Sequence, residues 1–368
     1  LVSSNSIQND ITDLKRSAYA NVRRDFAAPV PVTVKAGVDV RQWTRDLRGG
    51  TRLYSFVGAD GRASTVPTGG DDAAVPYLDP SFSQRVMPFG HPAAQWPSNE
   101  QLWALAQARP NYYTTNADTW YRSAVGLSKY AAELISAAYG RGDVQFFQRR
   151  LKLVGGLRAE QTNIEAEGPL TDPTRNYRRD ASGRVVLGAN GRPLTILPAT
   201  DALGVSQLTY LDRGLRAAKE YLRLFPSLNA SFNLRENLIA RAAYYESVGR
   251  PDFNQYAGGL TLPDTESPPS TNNRITVSNI GIKAWSARTV KVRLEHYFEG
   301  VGQISIGAFR RQFENFFGST VFPATAEFLA LYNVDPAIYG SYDVASQYNI
   351  TESVRMEGWN IDYKQALT

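Results

Sequence analysis

The sequence predicts an all-β fold: an antiparallel up-and-down meander that forms part of a transmembrane β-barrel and carries long loops with short helices. Three observations predict this class. The 368 residues include 20 Tyr, 16 Phe and 6 Trp but only 2 Met, and aromatic residues favour strands. Apolar and polar residues alternate with a period of two over long stretches. The connections between these stretches alternate between very short and very long.

The alternation predicts about nine long strands. In the clearest one, Val32, Val34 and Val38 share one face, while Lys35 and Asp39 lie on the other. Most of these strands exceed the five or six residues usual in soluble proteins. They cover approximately residues 12–26, 31–46, 129–146, 150–166, 219–234, 238–250, 285–299, 302–318 and 349–367.

The lengths of the connections favour a membrane barrel over a soluble domain, where loops beyond about 15 residues are uncommon. Transmembrane barrels have tight turns at one end, long extracellular loops at the other, and tilted strands of about 9–11 residues across the membrane. The whole chain, 1–368, is therefore predicted to be one partial transmembrane β-barrel domain. Its short turns lie near 27–30, 147–149, 235–237 and 300–301, and its long loops near 47–128, 167–218, 251–284 and 319–348.

Some loops have local structure of their own. Ser98 is a helix N-cap, and Pro110 ends the helix that follows it. The dipeptide Asn190-Gly191 lies between two extended runs and predicts a hairpin with a type I′ turn. A further short helix is expected in "TAEFLALYNVDP", ending before Pro336.

One predicted strand contains Pro226, which has no amide to donate to a sheet ladder. Counting back from the short turn, the residues from Leu234 to Pro226 are about what a tilted strand needs to cross hydrocarbon. Pro226 is therefore expected near the outer interface, where water or a bulge satisfies its neighbour. The apolar face of this strand is expected to point at lipid.

Composition and motifs exclude several functional classes. The 40 basic and 35 acidic residues are spread along the chain, so nucleic acid is not expected as a partner. The chain has no cysteine and 2 histidines, and it lacks a nucleophile elbow, a phosphate loop and an H-E-x-x-H motif. We therefore expect no catalytic residue, metal site or cofactor, and no enzyme. No run of about 18 apolar residues predicts a transmembrane helix.

Aromatic residues of the first long loop are the candidates for ligand contact, because sugars and planar chelates stack on such rings and loops on rigid scaffolds commonly bind ligands. The alternative is that these rings pack the loop onto itself. Trp103 is the expected packing residue, beside Leu102 on the apolar side of the predicted helix. The candidates are Tyr54, Trp96, Trp103, Tyr112, Tyr113 and Trp120.

Polar residues on the alternate strand face suit a hydrated lumen or contact with a plug. In a soluble sandwich they would face water; the pattern leaves both open, and the loop lengths favour the lumen. His296 lies instead on an apolar face next to a short turn, which predicts a position at the inner membrane interface. The lumen candidates are Arg223, Asn229, Asn233, Arg241, Lys291, Arg293 and Glu295.

Several stretches together resemble the barrel of TonB-dependent outer-membrane receptors. In "YLRLFPSLNASFNLRENLIARAAYYESVGRPDF", Pro-Ser-Leu-Asn at 226–229 precedes a short turn and a strand ending in Arg-Pro at 250–251, as in paired strands of that family. The stretches "ITVSNIGIKAWSARTVKVRLEHYFEGVGQISIGAFRRQFENFFG" and "VRMEGWNIDYKQAL" are similar to its next hairpin and strand. The resemblance is good over 219–367, weaker over 127–218, and in 1–126 is mainly one of loop arrangement.

The resemblance implies a barrel of about 22 strands around an N-terminal plug, in the outer membrane of a bacterium. It implies energy-dependent uptake of a scarce nutrient, such as a siderophore, a cobalamin-like chelate or an oligosaccharide. The implied partners are outer-membrane lipid and, through the plug, the inner-membrane TonB complex. This chain departs from the family in having Lys283-Ala284-Trp285 where Lys-Pro-Trp is usual, and in showing no plug domain or terminal aromatic strand. We therefore expect a segment of such a receptor.

Two other functions remain open at this point. A passive porin-like channel would have no plug, so a signal peptide close to Leu1 would favour it, whereas a plug before Leu1 would favour the receptor. A soluble secreted β-protein that binds or cleaves polysaccharide would be found in buffer without detergent.

Overall fold

The computed structural model of the protein describes residues 3–27, 29–64, 70–278 and 281–366. Its strands in chain order are β1 (Ser3–Phe26), β2 (Val32–Phe56), β3 (Tyr113–Thr115), β4 (Lys129–Phe146), β5 (Leu151–Thr171), β6 (Tyr210–Arg235), β7 (Leu238–Gly249), β8 (Leu260–Thr261), β9 (Ile275–Val277), β10 (Trp285–Tyr297), β11 (Gly302–Glu314), β12 (Phe317–Pro323), β13 (Asp343–Asn349) and β14 (Val354–Gln365). Its helices are α1 (Pro80–Ser83), α2 (Asn99–Ala108), α3 (Ala117–Leu127), α4 (Ala202–Thr209), α5 (Phe253–Tyr256), α6 (Ala326–Ala330) and α7 (Pro336–Tyr339). Short 3₁₀ turns occupy Val75–Tyr77, Pro88–Gly90, Pro110–Tyr112 and Pro173–Asn176.

The long predicted strands are confirmed as β1, β2, β4, β5, β6, β7, β10, β11 and β14. Three of them extend into segments that the sequence predicted as loops. Strand β2 runs to Phe56, β5 runs to Thr171 and β6 begins at Tyr210. In these extensions both faces carry polar residues, so the alternation that marks a strand fades although the ladder continues. The all-β class is confirmed.

The meander is confirmed by the strand pairing. Antiparallel ladders join β2 to β4, β4 to β5, β6 to β7, β7 to β10, β10 to β11 and β11 to β14, while β1 pairs with β2 and β5 with β6. Two parallel pairings, β5 with β8 and β9 with β13, were not predicted. The strands β8 and β9 have only 2 and 3 residues, which is too short for alternation to reveal them.

The chain forms two compact units, and the first contains residues 1–10, 48–128 and 176–210. Ser98 caps α2 as predicted, since its side chain accepts a hydrogen bond from the Gln101 amide at 3.3 Å. Asp118 of α3 accepts hydrogen bonds from Ser206 of α4 and, at 2.5 Å, from Arg122. The buried carboxylate therefore joins the two helices of this unit.

The hairpin predicted around Asn190-Gly191 is present, but its turn is not type I′. The Gly191 amide donates to the Gly188 carbonyl at 2.9 Å, and the Gly188 amide donates to the Arg192 carbonyl at 2.8 Å. The central turn residues are thus Ala189 and Asn190, and neither has the positive φ that type I′ needs. Gly191 has a φ of 73° instead, because glycine enters the left-handed region at little steric cost.

The second unit contains residues 11–47, 129–175 and 211–368 and carries most of the sheet. Ile164 and Ala166 of β5 pack in one buried cluster with Leu260, Ile275 and Val344 of the short strands. The helix predicted before Pro336 is confirmed as α6, which the Thr325 hydroxyl caps by accepting from the Phe328 amide at 3.2 Å. The short strands and helices thus cover one face of β5. Among the described residues, no helix is long and apolar enough to cross a membrane.

Candidate functional site

The register of the second unit's sheet separates two faces. Ala230 pairs with Ala242, Ala242 with Val292, Val292 with Ala308, and Ala308 with Trp359. Residues directly opposite one another point to the same side of a sheet, so this row defines what we call the apolar face. The next row, containing Ser231, Arg241, Arg293, Gly307 and Asn360, lies on the other side, which we call the polar face.

The apolar face is exposed. Val292 is 52% exposed, Ile306 55% and Trp359 73%. Soluble proteins rarely expose a continuous apolar patch of this kind, and such a patch marks contact with lipid or with another protein. The apolar face therefore has the character of a lipid-facing barrel wall.

On β5 the apolar face ends at a definite level on the way from the short turn to the long loop. A Cβ at Gly155 would lie 3.4 Å from the Leu228 side chain, so these residues share a side of the sheet. Towards the long-loop end of β5, that side carries Leu157 and Ala159 and then four polar residues in succession, Gln161, Asn163, Glu165 and Glu167. On β6, Glu220 follows Leu222 in the same way. These changes mark the level at which a lipid-facing surface would end.

At the short-turn end, aromatic residues border the apolar face. His296 lies 5.6 Å from Phe298 and Phe298 lies 6.0 Å from Tyr363, measured between ring centroids. His296 belongs to the apolar face, as predicted, because it pairs with Leu238 and Ile304. Rings that carry polar atoms, such as those of His296 and Tyr363, suit the boundary between hydrocarbon and water. The interfacial position of His296 remains a prediction.

Pro226 lies at the end of a ladder. The pairing of β6 with β7 begins at Ser227, opposite Tyr245, and runs down to Arg235. Pro226 is the residue immediately above that first pair, so its missing amide removes no ladder bond on the β7 side. Above it, Arg223 donates from Nη2 to the Ala284 carbonyl at 2.7 Å. Side-chain bonds replace the ladder there.

The predicted lumen residues of β6, β7 and β10 share the polar face, where several of them meet. Arg241 donates from Nε to Glu295 at 2.9 Å, and Arg293 lies 3.4 Å from the same carboxylate. Arg293 also donates to Ser305 of β11 at 2.6 Å and to Asp362 of β14 at 3.3 Å. This network ties neighbouring strands together through charge-assisted bonds. Lys291 lies over the Tyr245 ring at 5.8 Å, and Asn229 and Asn233 continue the face along β6. That this face lines a lumen remains a prediction.

A second network on the polar face was not predicted from the sequence, and we call it the Arg250 network. Arg158 donates hydrogen bonds to Asp39 at 3.0 Å and to Glu160 at 2.6 Å. Arg250 donates a hydrogen bond to Glu160 at 2.6 Å and lies 3.6 Å from the Glu133 carboxylate. These residues come from β2, β4, β5 and the residue just after β7, so only the register brings them together. The available sequence signal was an acidic residue among apolar ones on the same face of a predicted strand, as with Glu133.

The Arg250 network has unused hydrogen-bonding capacity. Within the described residues, five of the seven buried side-chain polar atoms without a hydrogen bond belong to it or adjoin it. Burial raises the pKa of the Glu133 carboxyl above its usual range, Arg250 opposes this rise, and Glu160 adds to it. Buried polar groups normally have partners, so this region is suited to bind water or a polar segment of protein or ligand. The five atoms are Glu133 Oε1 and Arg250 Nε, which face each other at 3.6 Å as an ion pair, and the hydroxyls of Thr162, Tyr221 and Tyr256.

The loop aromatics do not converge on one site. Tyr113 packs on Phe56 with ring centroids 5.4 Å apart and donates its hydroxyl to the Leu102 carbonyl at 3.0 Å. Trp120 covers Gly50, where a Cβ would lie 2.5 Å from the ring, and Arg52 lies over it at 4.7 Å. These two rings therefore pack the loop.

The prediction that Trp103 packs with Leu102 is wrong. Leu102 is buried, whereas Trp103 is 67% exposed, because successive residues of a helix point about 100° apart. Trp96 is also exposed and lies 6.4 Å from the Phe82 ring. Tyr54 and Tyr112 are half-buried. Of the six candidates, Trp96 and Trp103 are the ones available to a ligand.

Comparison of this chain with known proteins identifies a matching family. The family model described as "TonB dependent receptor-like, beta-barrel" matches residues 3–368. The chain belongs to this family. The family consists of transport receptors in the bacterial outer membrane, so this receptor chain is an outer-membrane protein and its apolar face is the surface suited to lipid.

Solved structures similar to this receptor chain include three receptors at low sequence identity. The ferric-catecholate import receptor Fiu of E. coli K12 is 16% identical, with 98% of this chain and 36% of that chain covered and a TM-score of 0.47. A double mutant of the hemophore receptor HasR of Serratia marcescens, solved with HasA and heme, is 12% identical, with 99% and 47% covered and a TM-score of 0.41. The ferric preacinetobactin receptor BauA of Acinetobacter baumannii is 13% identical, with 98% and 35% covered and a TM-score of 0.42.

This chain therefore spans between about a third and a half of the length of those structures. No curated protein matches the sequence.

Proposed function

We propose that this chain is part of the barrel wall of a receptor for energy-dependent uptake of a scarce nutrient. The polar face with its two charged networks, opposite an exposed apolar face, is the observation that carries the proposal. In this proposal the polar face lines a hydrated lumen and the apolar face meets lipid. The chain performs no catalysis, and its role is to bind and pass a ligand.

The proposed partners follow from the two faces. Outer-membrane lipid covers the apolar face. A plug meets the polar face at the Arg250 network, whose unused polar atoms would exchange hydrogen bonds with plug backbone or side chains. Energy would reach the plug from the inner-membrane TonB complex. The ligand is a siderophore, a cobalamin-like chelate or an oligosaccharide, and the exposed rings of Trp96 and Trp103 are its proposed first contacts.

The uptake proposal is tested by growth of a deletion strain on single iron sources, cobalamin and single glycans. Loss of growth on one class identifies the ligand, and the purified receptor should then bind it. Unchanged growth on every class would contradict the proposal.

The lumen assignment has a separate test, because the chain contains no cysteine. A single cysteine at Asn229, on the polar face, should react with a small water-soluble thiol reagent in reconstituted vesicles. A cysteine at Val292, on the apolar face, should be protected by lipid. Equal labelling of the two variants would contradict the assignment of the faces.

A further inference from the structure

A groove lies on the side of the second unit that faces away from the Arg250 network. It has a volume of about 550 Å³, which is within the usual range for ligand pockets. Strands β5, β8, β9, β12 and β13 contribute to it. We call it the hydroxyl groove and define it by Thr171, Thr261, Arg274, Thr276, Ser278 and Ser319.

The strand register shows which side this groove faces. Thr261 pairs with Thr171 and with Thr276, while the alternate residues Leu260 and Ile275 point into the buried cluster. The threonines therefore lie on the side away from that cluster. Along β5, Thr171 shares its side with Ala159, the residue after which the polar run begins. The groove thus continues the apolar face, about 40 Å further along the strand at roughly 3.3 Å per residue.

The charge that lines the groove is of one sign, positive. Arg274 is the only charged residue that lines it, and no acidic residue does, among the residues that the structure describes. Arg274 forms no ion pair or side-chain hydrogen bond within the described part of the chain. A guanidinium presents a planar fork of donors that matches a carboxylate or a phosphate. The groove therefore offers a place for a single anionic group.

The remaining polar groups favour a ligand rich in hydroxyls. The side-chain hydroxyls of Thr171, Thr261, Thr276, Ser278 and Ser319 form no hydrogen bonds among the described residues. Each hydroxyl can both donate and accept, as the hydroxyls of a sugar do. A phosphate ion alone would leave most of the volume and most of these groups unused.

We propose that the hydroxyl groove binds a sugar unit that carries a carboxylate or a phosphate group. Arg274 binds the anionic group, and the threonine and serine hydroxyls bind the sugar hydroxyls. This site is separate from the proposed uptake path, because it lies on the opposite side of the sheet from the polar face. Such a sugar belongs either to a glycolipid of the outer leaflet or to a soluble glycan.

The test is binding of three sugars to the full-length protein in detergent, measured by calorimetry and saturation-transfer NMR. Glucuronate and glucose 6-phosphate carry the anionic group, and glucose is their neutral match. We expect the acidic sugars to bind about tenfold or more tightly than glucose, and Arg274→Gln to remove this preference. Thr276→Trp, which fills an exposed position in the groove, should abolish binding of all three sugars.

The matched control is Arg355→Gln, which removes an exposed arginine on β14 that pairs with Glu357 and lies outside the groove. It should leave sugar binding unchanged. Far-UV circular dichroism must show that each variant is folded. Equal affinity for glucose and glucuronate, or unchanged binding in both Arg274→Gln and Thr276→Trp, would overturn the proposal.

A second arm separates the two sources of the sugar. The protein is placed in nanodiscs with lipopolysaccharide or with phospholipid alone, and glucuronate binding is measured in each. If glucuronate binds in the phospholipid discs but not in the lipopolysaccharide discs, and neither added salt nor dilution restores its binding, the result supports a membrane glycolipid as the occupant of the groove. Equal binding in both discs supports a soluble acidic glycan. Growth on the nutrient should be unaffected by Arg274→Gln, so a failed uptake proposal and a failed sugar proposal are distinguishable.

Discussion

Arg250 and Glu160 are 90 positions apart in the chain and are joined by a 2.6 Å hydrogen bond from Nη2 to Oε2. Both side chains are largely buried. The same guanidinium lies 3.6 Å from Glu133, so one cation serves two carboxylates. A buried charge that loses its partner is far more costly than an exposed one, and Arg250 is therefore expected to be a main support of the sheet.

Arg250→Ala should lower the free energy of unfolding by about 3 kcal/mol, because it removes the cation beside buried Glu133 and one of the two arginines that bind Glu160. Urea unfolding in detergent, followed by tryptophan fluorescence, measures this loss. Arg41→Gln is the matched control, since Arg41 also bonds a carboxylate of this network, Asp39, but is mostly exposed. Its effect should stay below about 1 kcal/mol. Equal losses in the two variants would contradict a special role for Arg250.

A charge on the apolar face should hinder insertion into lipid. Val292→Arg is expected to cost about 2–4 kcal/mol in folding into lipid vesicles, the range for arginine at the middle of a barrel wall. Asn229→Arg places the same residue on the polar face and should cost much less. The fraction folded, read from the mobility shift on unheated gels, compares the two. A larger loss for Asn229→Arg would reverse the assignment of the faces.

Lys219 should make stability depend on pH. It lies beyond the apolar end of β6, and burial lowers its pKa from 10.5 to about 8, with Lys283 and Arg223 adding to the shift. Between these two pH values the unfolded chain binds the proton more strongly than the folded chain does. Stability should therefore rise with pH across this window and be lowest below it.

Lys219→Met should raise the free energy of unfolding at pH 7 and flatten its rise between pH 8 and 10.5. Denaturant titrations at several pH values measure both effects. Lys219→Arg is the control, because arginine stays charged throughout the window and should also give a flat profile, at lower stability. A wild-type profile that falls with rising pH in this window would contradict the prediction.

The position of Pro226 predicts where the sheet tolerates proline. Pro226→Ala should change stability by less than about 1 kcal/mol, because no ladder bond to β7 is missing there. Ala230→Pro, within the ladder and opposite Ala242, should cost about 1–3 kcal/mol, because it leaves a partner in the ladder without its hydrogen bond. Unfolding in detergent compares the two variants with the parent protein. A gain of several kcal/mol in Pro226→Ala would show that the proline interrupts the ladder.

Trp103 and Trp120 should separate ligand contact from packing. Trp120→Ala removes a ring packed on Gly50 and under Arg52, and should cost about 2 kcal/mol or more in stability. Trp103→Ala removes an exposed ring and should leave stability within about 0.5 kcal/mol. Once the nutrient is known, Trp103→Ala should weaken its binding by calorimetry. Full affinity in that variant would remove Trp103 from the proposed contacts.

Local sequence patterns were sufficient to predict the long strands and which residues share a face of each strand. In β10, the alternation of Val290, Val292 and Leu294 with Lys291 and Arg293 appears in the sequence and persists in the sheet. The side-chain period of a strand is a local property, so no knowledge of neighbouring strands is needed to see it. The cap at Ser98 was predictable for the same reason, because the groups that form it are three residues apart.

Predictions that needed an orientation in space were less successful. The direction of Trp103 depends on which side of α2 the rest of the loop covers, and Leu102 occupies that side. The parallel strands β8 and β9 depend on partners far away in the chain and have too few residues to show a pattern. Neither outcome is encoded in the residues nearby.

The sequence by itself determined that long strands with one apolar and one polar face alternate with short turns and long loops. Only the tertiary structure decided that Glu133, Glu160 and Arg250 share one buried network and that Thr171, Thr261 and Thr276 line one groove. The physical reason is that side-chain alternation arises within a strand, whereas a site forms across strands. The register of the ladders sets which distant residues become neighbours, and no single segment contains that information.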